Sequence, residues 1–436
     1  MQIRARILAI SIFTLVFSFP VLSQVNQDNI YSRFGLGDIV TSGSGTERAM
    51  GGAGIAVRTR GVINFLNPAA LNAIDTLSFI LDIGIQGKYS SFKSTSNSAA
   101  YSDVNAGHLA IGFPICKWWK AGFSLTPYST LGYSIKDTTT IKGNNALINN
   151  FYSGSGGTNA FTMNNGFKIY KNLYAGFGLV YLFGNMQNTV YNDYNINVQS
   201  NSYFSTTTYQ TNMIVGGFYT NFGLQLSDTI AKKYVVTLGA TYGPSAKVKA
   251  RYDQFIKNDL VVSTTSQSDT IFNQEGVNSN IVIPARFGVG MSIVHEKFTF
   301  AFDYFQQNWS SASILGVNDS LSNTRSFRTG LEIIPKYNSF SSYLARVRYR
   351  VGYHFTNTYL SLRDPSDPSQ VRHQINDYGV SLGFGFPFRN TTAILNISFE
   401  VGRRGTTMYH LIQENYAMIY MNIAIGDVWF IKRKFE

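Results

Sequence analysis

Apolar and polar residues alternate along most of the chain after residue 76. In the stretch KFTFAFDYF, one face carries Phe298, Phe300, Phe302 and Tyr304, and the other carries Thr299, Ala301 and Asp303. The stretch TAILNISFEV repeats the pattern, with Ala393, Leu395, Ile397, Phe399 and Val401 opposite Asn396, Ser398 and Glu400. Successive side chains of a β-strand point to opposite faces, so the alternation predicts strands whose two faces meet different surroundings.

About fourteen such segments follow one another, and many exceed the ~5–6 residues of a typical globular strand. They lie roughly at 77–89, 104–115, 118–136, 158–170, 173–187, 204–226, 234–252, 278–294, 297–309, 323–334, 344–356, 376–387, 392–402 and 415–426. An even number of long strands is typical of a bacterial transmembrane β-barrel. No period of 20–50 residues recurs, which argues against a β-helix or a propeller.

The connections between these segments alternate in length. Short ones follow the even-numbered segments: Cys116-Lys117, Lys171-Asn172, His295-Glu296 and residues 388–391. Longer polar ones, such as 137–157, 253–277 and 357–375, follow the odd-numbered segments. We therefore predict an all-β fold, an antiparallel transmembrane β-barrel of about 14 strands, because outer-membrane barrels have short turns at one end and long loops at the other. The alternative is a soluble sandwich with its apolar faces inside.

The composition favours the barrel. Only 14% of the residues are charged, whereas a soluble domain has about a quarter, and 15% are aromatic. Three glycine pairs lie on the polar face of the strands: Gly176 and Gly178, Gly288 and Gly290, and Gly383 and Gly385. In a barrel that face lines the lumen, where another segment could pack closely. The net charge of +12 is scattered along the strands and does not indicate a nucleic-acid partner.

The N-terminus has the pattern of a secretory signal peptide, which we assign to residues 1–23. Arg4 and Arg6 precede an apolar run at 7–19, and Ser23 is a small residue at a plausible cleavage point. The run is too short for a transmembrane helix. The sequence thus predicts an exported protein of the bacterial outer membrane, with lipid around a barrel at 77–436 that ends in the basic tail 432–434.

Residues 24–76 stand outside the strand pattern. They are rich in glycine and small residues, and their last part has the start signal of a short helix, because Asn67 is a good N-cap and Pro68 suits the first helical position. A helix this short is marginal in water unless it packs against something. Since the segment has no core of its own, we expect it to form a hatch, or plug, with short helices inside the barrel lumen.

An exported barrel whose glycine-rich N-terminal segment ends in Asn67-Pro68-Ala69 resembles the FadL family of channels for long-chain fatty acids and other hydrophobic compounds. The run NIVIPARFGVG at 280–290 and a C-terminal end like that of Bacteroidetes barrels add to the resemblance. It implies that the Asn-Pro-Ala motif lies against a kink in the third strand, for which Pro127 is the candidate because proline belongs at a break in a strand ladder. It also implies passive uptake, with lateral exit past the hatch at strand three.

Three arginines, Arg346, Arg348 and Arg350, share one face of a predicted strand. Arginine facing lipid costs ~2–4 kcal/mol near the membrane midplane, so we expect these side chains to face the lumen. Like charges at this spacing repel unless counter-charges lie nearby. Glu332, Asp303 and Glu400 on other strands could form a salt-bridge ladder with them. The alternative is a lumen that attracts anionic solutes.

Nothing in the sequence indicates an enzyme, a metal site or a cofactor. The five histidines fall on different segments or loops, without metal-ligand spacing or a neighbouring nucleophile: His108, His295, His354, His373 and His410. Two functions of different class remain open. The first is an outer-membrane channel for a hydrophobic small molecule. The second is a non-transporting, FadL-like barrel that serves as a structural subunit of a larger outer-membrane complex, such as barrel-assembly or secretion machinery.

Overall fold

A computed structural model describes residues 29–41, 43–140, 147–195, 203–262, 265–314, 321–337, 339, 341–364, 369–389 and 391–428. The signal peptide predicted at 1–23 and the basic tail at 432–434 lie outside the described residues. No helix among the described residues is long and apolar enough to cross a membrane.

The strand segments form one antiparallel sheet that closes on itself. The strands are β1 (Ser78–Lys93), β2 (Ser98–Pro114), β3 (Trp119–Thr140), β4 (Leu147–Tyr170), β5 (Leu173–Asn195), β6 (Tyr203–Ile230), β7 (Tyr234–Gly243 and Ala246–Val262), β8 (Thr265–Ile283 and Arg286–His295), β9 (Phe298–Gln307), β10 (Thr324–Ile333), β11 (Arg348–Arg363), β12 (Arg372–Pro387), β13 (Ile394–Gly405) and β14 (Gln413–Val428). β14 pairs with β1 along its whole length, from Gln413 opposite Lys93 to Val428 opposite Ser78. The predicted closed barrel of 14 strands is confirmed.

β7 and β8 are each interrupted at a proline. The break in β7 contains Pro244, and the break in β8 contains Pro284. The two segments of each strand stay in the sheet. Tyr234–Gly243 of β7 pairs with Arg286–His295 of β8, and Ala246–Val262 pairs with Thr265–Ile283. Proline cannot donate to a strand ladder, so each interruption lies where a ladder hydrogen bond is lost.

The two faces of the barrel wall have the predicted character. On β9, Phe298, Phe300 and Phe302 are 40–47% exposed on the outside, whereas Ala301 and Asp303 are at most 1% exposed. β13 shows the same division, with Phe399 and Val401 outside and Asn396 and Ser398 buried. The apolar outer face fits lipid, which requires a closed ladder without exposed backbone groups.

Six neighbouring strands are much longer than the sequence pattern indicates. β3 to β6 contain 22, 24, 23 and 28 residues, whereas a tilted strand crosses a bilayer with ~9–11. Most of 137–157 and 253–277, which we predicted as loops, belongs to β3, β4, β7 and β8. That prediction was wrong because strands beyond the membrane have no lipid-facing apolar side to mark them. Residues 357–363, predicted as part of a third loop, likewise belong to β11.

The N-terminal residues 29–75, which we call the lumen segment, contain little regular structure. A 3₁₀ turn at Ile30–Arg33 is followed by the two-residue strand Asp38–Ile39, the short helix α1 at Gly45–Ala49 and the 3₁₀ helix Pro68–Ala73. Further 3₁₀ turns lie at Trp309–Ser311, Leu344–Arg346 and Met408–His410, and a second two-residue strand lies at Ser313–Ile314. The lumen segment contributes Tyr31 and Leu36 to the largest buried apolar cluster, which also contains wall residues of β3 to β8.

Candidate functional site

The wall is incomplete between β2 and β3. These strands pair only from Leu109 opposite Leu125 to Pro114 opposite Lys120. Beyond Leu125, no described residue of β2 pairs with β3, although β2 stays paired with β1 and β3 with β4. The backbone edge of β3 beyond Leu125 therefore faces a lateral opening in the sheet, which we call the β2–β3 opening.

Pro127 lies at the start of this opening. The register between β3 and β4 shifts between Pro127 and Ser129, which marks a β-bulge. Proline at a bulge costs no ladder hydrogen bond, and a bulge bends the strand that carries it. After the bulge, Ser129, Leu131 and Tyr133 are each at most 5% exposed. This stretch of β3 is thus covered on the face that carries these three residues.

The front end of the lumen segment occupies the free edge of β3. Asp38 and Ile39 pair antiparallel with Thr130 and Ser129. The Val40 amide donates to the Tyr128 carbonyl at 2.9 Å. Nearer the start of the segment, the Asn29 amide donates to the Gly132 carbonyl at 2.7 Å, and the Ser32 hydroxyl donates to the same oxygen. We call residues 29–40 in this position the edge cap, because they satisfy backbone groups that the opening leaves unpaired.

An ion-pair network on β13, β14 and β1 holds the edge cap. Asp38 accepts hydrogen bonds from Arg404 of β13 at 2.7 Å and from Asn29 at 2.5 Å. Arg404 also pairs with the fully buried Glu414 of β14, which in turn accepts from Lys88 of β1 at 2.8 Å. Two carboxylates thus face two cations, so the buried charges balance. The edge cap is therefore joined to two parts of the wall, the edge of β3 and the inner face of β13.

A tyrosine adds a third anchor to the edge cap. Tyr359 of β11 donates its hydroxyl to the carbonyls of Phe34 and Gly37. Gly37 has a φ of +87°, and a side chain there would run into the Thr130 carbonyl, so only glycine allows this approach to β3. Burial raises the pKa of the Tyr31 hydroxyl, which hydrogen-bonds the Ile412 carbonyl and stays a neutral donor.

The Asn67-Pro68-Ala69 motif lies at the opposite end of the lumen segment. Asn67 caps the 3₁₀ helix Pro68–Ala73, with its side-chain oxygen accepting from the Ala69 amide at 3.0 Å. The predicted helix start is confirmed. The Asn67 amide group donates to the carbonyls of Ile55 and of Leu224 on β6 at 2.9 and 3.2 Å. The motif therefore joins two parts of the segment to the wall.

The contact of the motif with the third strand at Pro127 stays a prediction, since the close contacts of the motif itself are with other strands. Asn67 and Pro68 lie on Gly223 of β6, and Ala69 lies on Gly176 of β5, where a Cβ atom would overlap the backbone of the motif. Pro127 and Pro68 line the same cavity but the hydrogen bonds of the motif go to β6 and β7. The sequence could not place the motif because glycines recur on many strands.

Glycines of the wall also form the seat for the middle of the segment. A Cβ atom would overlap Ile55 at Gly239, Met50 at Gly330 and Ala49 at Gly383. Of the paired glycines singled out in the sequence, Gly176, Gly288, Gly290 and Gly383 face the lumen segment in this way. The other two, Gly178 and Gly385, lie against wall side chains. We call the wall glycines that contact the segment the glycine seat.

The predicted lumen charges divide into separate contacts. Arg350 and Glu332 form a buried ion pair at 2.7 Å, and Arg350 also donates to Asn396. Arg348 is buried beside Tyr337, at 3.4 Å from its hydroxyl. Arg346 does not lie on the strand with the other two, because β11 starts at Arg348 and Arg346 ends a 3₁₀ turn.

The two remaining carboxylates do not join a ladder with these arginines. Asp303 accepts from the amides of Gly54 and Ile55 at 2.6 and 2.8 Å, so it binds the backbone of the lumen segment. Glu400 accepts from the Tyr416 hydroxyl at 3.2 Å. The single predicted ladder is therefore replaced by one ion pair and two separate polar contacts. The role of Asp303 was not visible in the sequence, since its partners are main-chain groups.

Helix α1 rests on a buried polar cluster of β1, β2 and β14. Asp82 accepts from Asn422 at 2.7 Å and lies 3.0 Å from the His108 ring, whose other nitrogen hydrogen-bonds the Tyr420 hydroxyl. The amide of Gly45, at the start of α1, donates to Asn422 at 3.1 Å. Ser44 and Glu47 form a capping box, and burial raises the pKa of the Glu47 carboxyl.

A cavity of about 330 Å³ lies between the lumen segment and the wall. It reaches both sides of the β2–β3 opening, at Tyr101 and Asp103 of β2 and at Thr126 and Pro127 of β3. Apolar side chains such as Phe65 and Leu66 line one part, and ionisable ones line another: Arg286, Arg328, His354, Asp377 and Glu400. Among the described residues, no group of three or more His, Cys, Asp or Glu side chains could hold a metal ion.

Sequence reasoning missed several of the residues that hold the segment. Arg404, Glu414 and Lys88 lie on three strands far apart in sequence, and their partner Asp38 comes from the lumen segment. A weak signal was present, since each is a charged residue at an inward-facing position of an alternating strand. Such residues need partners once they are removed from water.

Comparison with known protein families identifies the family of this chain. A model of the family described as BamG matches residues 3–436, which is nearly the whole sequence. The chain belongs to the BamG family. A search of curated proteins found no match.

Solved structures share the fold of this BamG-family chain. The CymD monoaromatic hydrocarbon channel is 14% identical, with a TM-score of 0.54, over 91% of this chain and 99% of that one. A FadL homologue of Pseudomonas aeruginosa is 12% identical, with a TM-score of 0.54, over 90% and 100%. The P. putida toluene transporter TodX is 13% identical, with a TM-score of 0.54, over 88% and 98%. The FadL-like barrel fold is thereby confirmed, while identities this low show the fold alone and do not show a substrate.

Proposed function

We propose that the protein is a structural barrel subunit of a larger outer-membrane complex of the barrel-assembly class, and that its lumen stays closed while it works. The observation that carries the proposal is the edge cap. Backbone hydrogen bonds to Tyr128 and Gly132 hold the cap on the β3 side of the β2–β3 opening, and the partly buried pair of Asp38 with Arg404 joins the cap to β13. The BamG family match supports the same class of function.

The energetics of the cap favour a static role. A solute that leaves through the β2–β3 opening has to displace residues 29–40. Doing so would separate Asp38 from Arg404 and expose the buried Glu414, and breaking one partner from a buried ion pair costs ~3–5 kcal/mol. The glycine seat resists larger motions, because the segment backbone touches wall backbone with no side chain between them. We therefore divide the mature chain into a fixed plug and its barrel.

The test is isolation of the tagged protein from native outer membranes in a mild detergent. We expect other outer-membrane barrel proteins to be recovered with it in fixed ratio, and a tagged barrel of similar abundance to recover none of them. A tagged protein that elutes alone under conditions that preserve other membrane complexes would contradict the proposal.

A channel for a hydrophobic small molecule is the second candidate, and the cavity is the observation that favours it. The cavity is large enough for a small ligand and reaches the β2–β3 opening from inside. Its wall combines the apolar Phe65 and Leu66 with the charged Arg286 and Arg328, which suits an amphipathic solute. Uptake of labelled oleate by cells with and without the gene separates the candidates. A structural subunit predicts equal uptake at equal outer-membrane integrity, and a channel predicts slower uptake without the gene.

A further inference from the structure

Each of the six connections at one end of the barrel carries the same exposed pair of side chains, and five of the six are short, with two to six residues between strands. A lysine or arginine lies next to an aromatic residue in the β2–β3, β4–β5, β6–β7, β8–β9, β10–β11 and β12–β13 turns. The pairs are Lys117–Trp118, Tyr170–Lys171, Lys233–Tyr234, Lys297–Phe298, Lys336–Tyr337 and Phe388–Arg389. The aromatic members are 43–67% exposed, and the cations are exposed as well. We call the six cations the basic ring.

The connections at this end of the barrel have a positive net charge. The six connections contain a single acidic residue, Glu296, and two further cations, Lys232 and Arg346. The connections at the opposite end have a negative net charge, because they contain one lysine, Lys142, and three aspartates, Asp319, Asp364 and Asp367. Among the described residues, no carboxylate lies within ion-pair distance of a member of the basic ring. The basic ring is therefore free to bind an external anion.

The position of the pairs matches the membrane interface. Outer-membrane barrels place their short turns on the periplasmic side. Aromatic side chains there lie at the level of the lipid headgroups, and neighbouring lysines and arginines reach the phosphates. The Lys171 ammonium, for example, lies 5.9 Å from the Tyr170 ring centroid. Each turn thus presents an aromatic anchor and a cation at the depth where phospholipid headgroups begin.

We propose that the basic ring binds the phosphate groups of anionic phospholipids in the periplasmic leaflet and so fixes the depth of the barrel in the membrane. The distribution of the pairs decides between lipid and a protein partner. The pairs occur in all six connections at this end and therefore surround the barrel, as lipid does. An acidic protein partner would contact one side and would need cations only there.

The experiment uses the full-length protein in bilayers and its own tryptophans as reporters. Trp118 and Trp119 lie at the ring, whereas Trp309 is only 1% exposed and inside the barrel. Brominated phosphatidylglycerol and brominated phosphatidylcholine are compared as quenchers at low and high salt. The ring variant replaces Lys117, Lys171, Lys297 and Arg389 with Gln. A control variant replaces four exposed cations elsewhere, Lys93, Lys136, Arg251 and Arg325, with the same change in net charge.

We expect the wild type to prefer phosphatidylglycerol about fivefold, the factor that corresponds to ~1 kcal/mol for one cation at an anionic surface. High salt and the ring substitutions should abolish the preference, and the control variant should keep it. Equal quenching by the two lipids in the wild type would overturn the proposal. So would a ring variant that keeps its lipid preference but no longer copurifies with an acidic protein, since the ring would then be a protein-docking surface. Because the lipid measurement needs no partner protein, its result is independent of the proposed function.

Discussion

The two ends of the lumen segment are held by different physical means. Its rear end, the Asn67-Pro68-Ala69 motif, rests on glycines of β5 and β6, where the fit is steric and leaves no room for a side chain. Its front end, the edge cap, is held by hydrogen bonds to the edge of β3 and by the pair of Asp38 with Arg404. A steric seat fixes position permanently, whereas hydrogen bonds and ion pairs can be exchanged for others. If any part of the segment moves, it is therefore the front end.

The largest effect should come from filling the glycine seat. In Gly223→Val, the new side chain would overlap Asn67 and Pro68, and the rigid wall and the 3₁₀ helix cannot both move aside. We expect a loss of more than ~3 kcal/mol, the upper range for overpacking a tight site, and a barrel that assembles poorly. Heat-modified migration in gels measures the folded fraction. Gly87→Val on β1 is the control, because only ordinary contacts lie near that glycine, and a control that is equally unfolded would show that the seat is not special.

The next effect should come from breaking the ion pairs behind the edge cap. Arg404→Met leaves the partly buried Asp38 without its cation and the buried Glu414 with Lys88 alone, so we expect a loss of ~3–5 kcal/mol. Denaturant unfolding in detergent micelles provides the value. The neighbouring Arg403→Met, which does not touch this network, should change stability by less than ~0.5 kcal/mol. Equal stability of the two variants would mean that the network does not hold the cap.

A smaller effect is expected at the helix cap of the rear end. Asn67→Ala removes the bond to the Ala69 amide and the donations to Ile55 and Leu224. Loss of an N-cap costs ~1–2 kcal/mol. Because the steric seat remains, the variant should still assemble, in contrast to Gly223→Val. Asn72→Ala, which loses only a long bond to Ala69, serves as the control, and thermal unfolding that does not distinguish the two would refute a role for the cap.

The smallest effect should appear only as a pH dependence. Burial raises the pKa of Glu47, so the folded state holds its proton more tightly than the unfolded state does. The resulting stability is present below the unfolded pKa and is lost as the pH rises through the folded pKa. Glu47→Gln keeps the capping geometry without a charge, so its stability relative to the wild type should increase between pH 4 and pH 8. A decrease over that range would mean that the carboxylate is stabilised as an anion.

The barrel could be predicted from the sequence because every strand that crosses lipid follows one rule, an apolar side chain at every second position. Alternation at Phe298, Phe300 and Phe302 identified β9, and the same rule gave the number of strands. The rule ends at the membrane surface, which is why the extensions of β3 to β8 were predicted as loops. Thr206, Thr207 and Thr208 of β6, for example, lie in a part of the sheet that projects beyond lipid and shows no apolar face.

The candidate site was less predictable, since its contacts join residues far apart in the chain. The start of the 3₁₀ helix at Asn67 and Pro68 is local, and local capping chemistry was sufficient to predict it. The pairing of Asp38 with Arg404 depends on the path of the lumen segment across the barrel, and no local pattern encodes that path. Glycines at inward positions indicated that something packs against the wall but did not identify which residues do so.

A disulfide between the edge cap and β3 tests the central claim, that the β2–β3 opening stays closed in the working protein. Ile39 and Ser129 are direct partners across the antiparallel pair, at a separation that a disulfide can span. In a Cys116→Ser background, Ile39→Cys with Ser129→Cys should crosslink nearly completely in cells. We expect the crosslinked protein to recover the same outer-membrane partners as the wild type and to leave solute uptake unchanged. Uptake of a hydrophobic solute that falls on crosslinking and returns on reduction would contradict a closed opening.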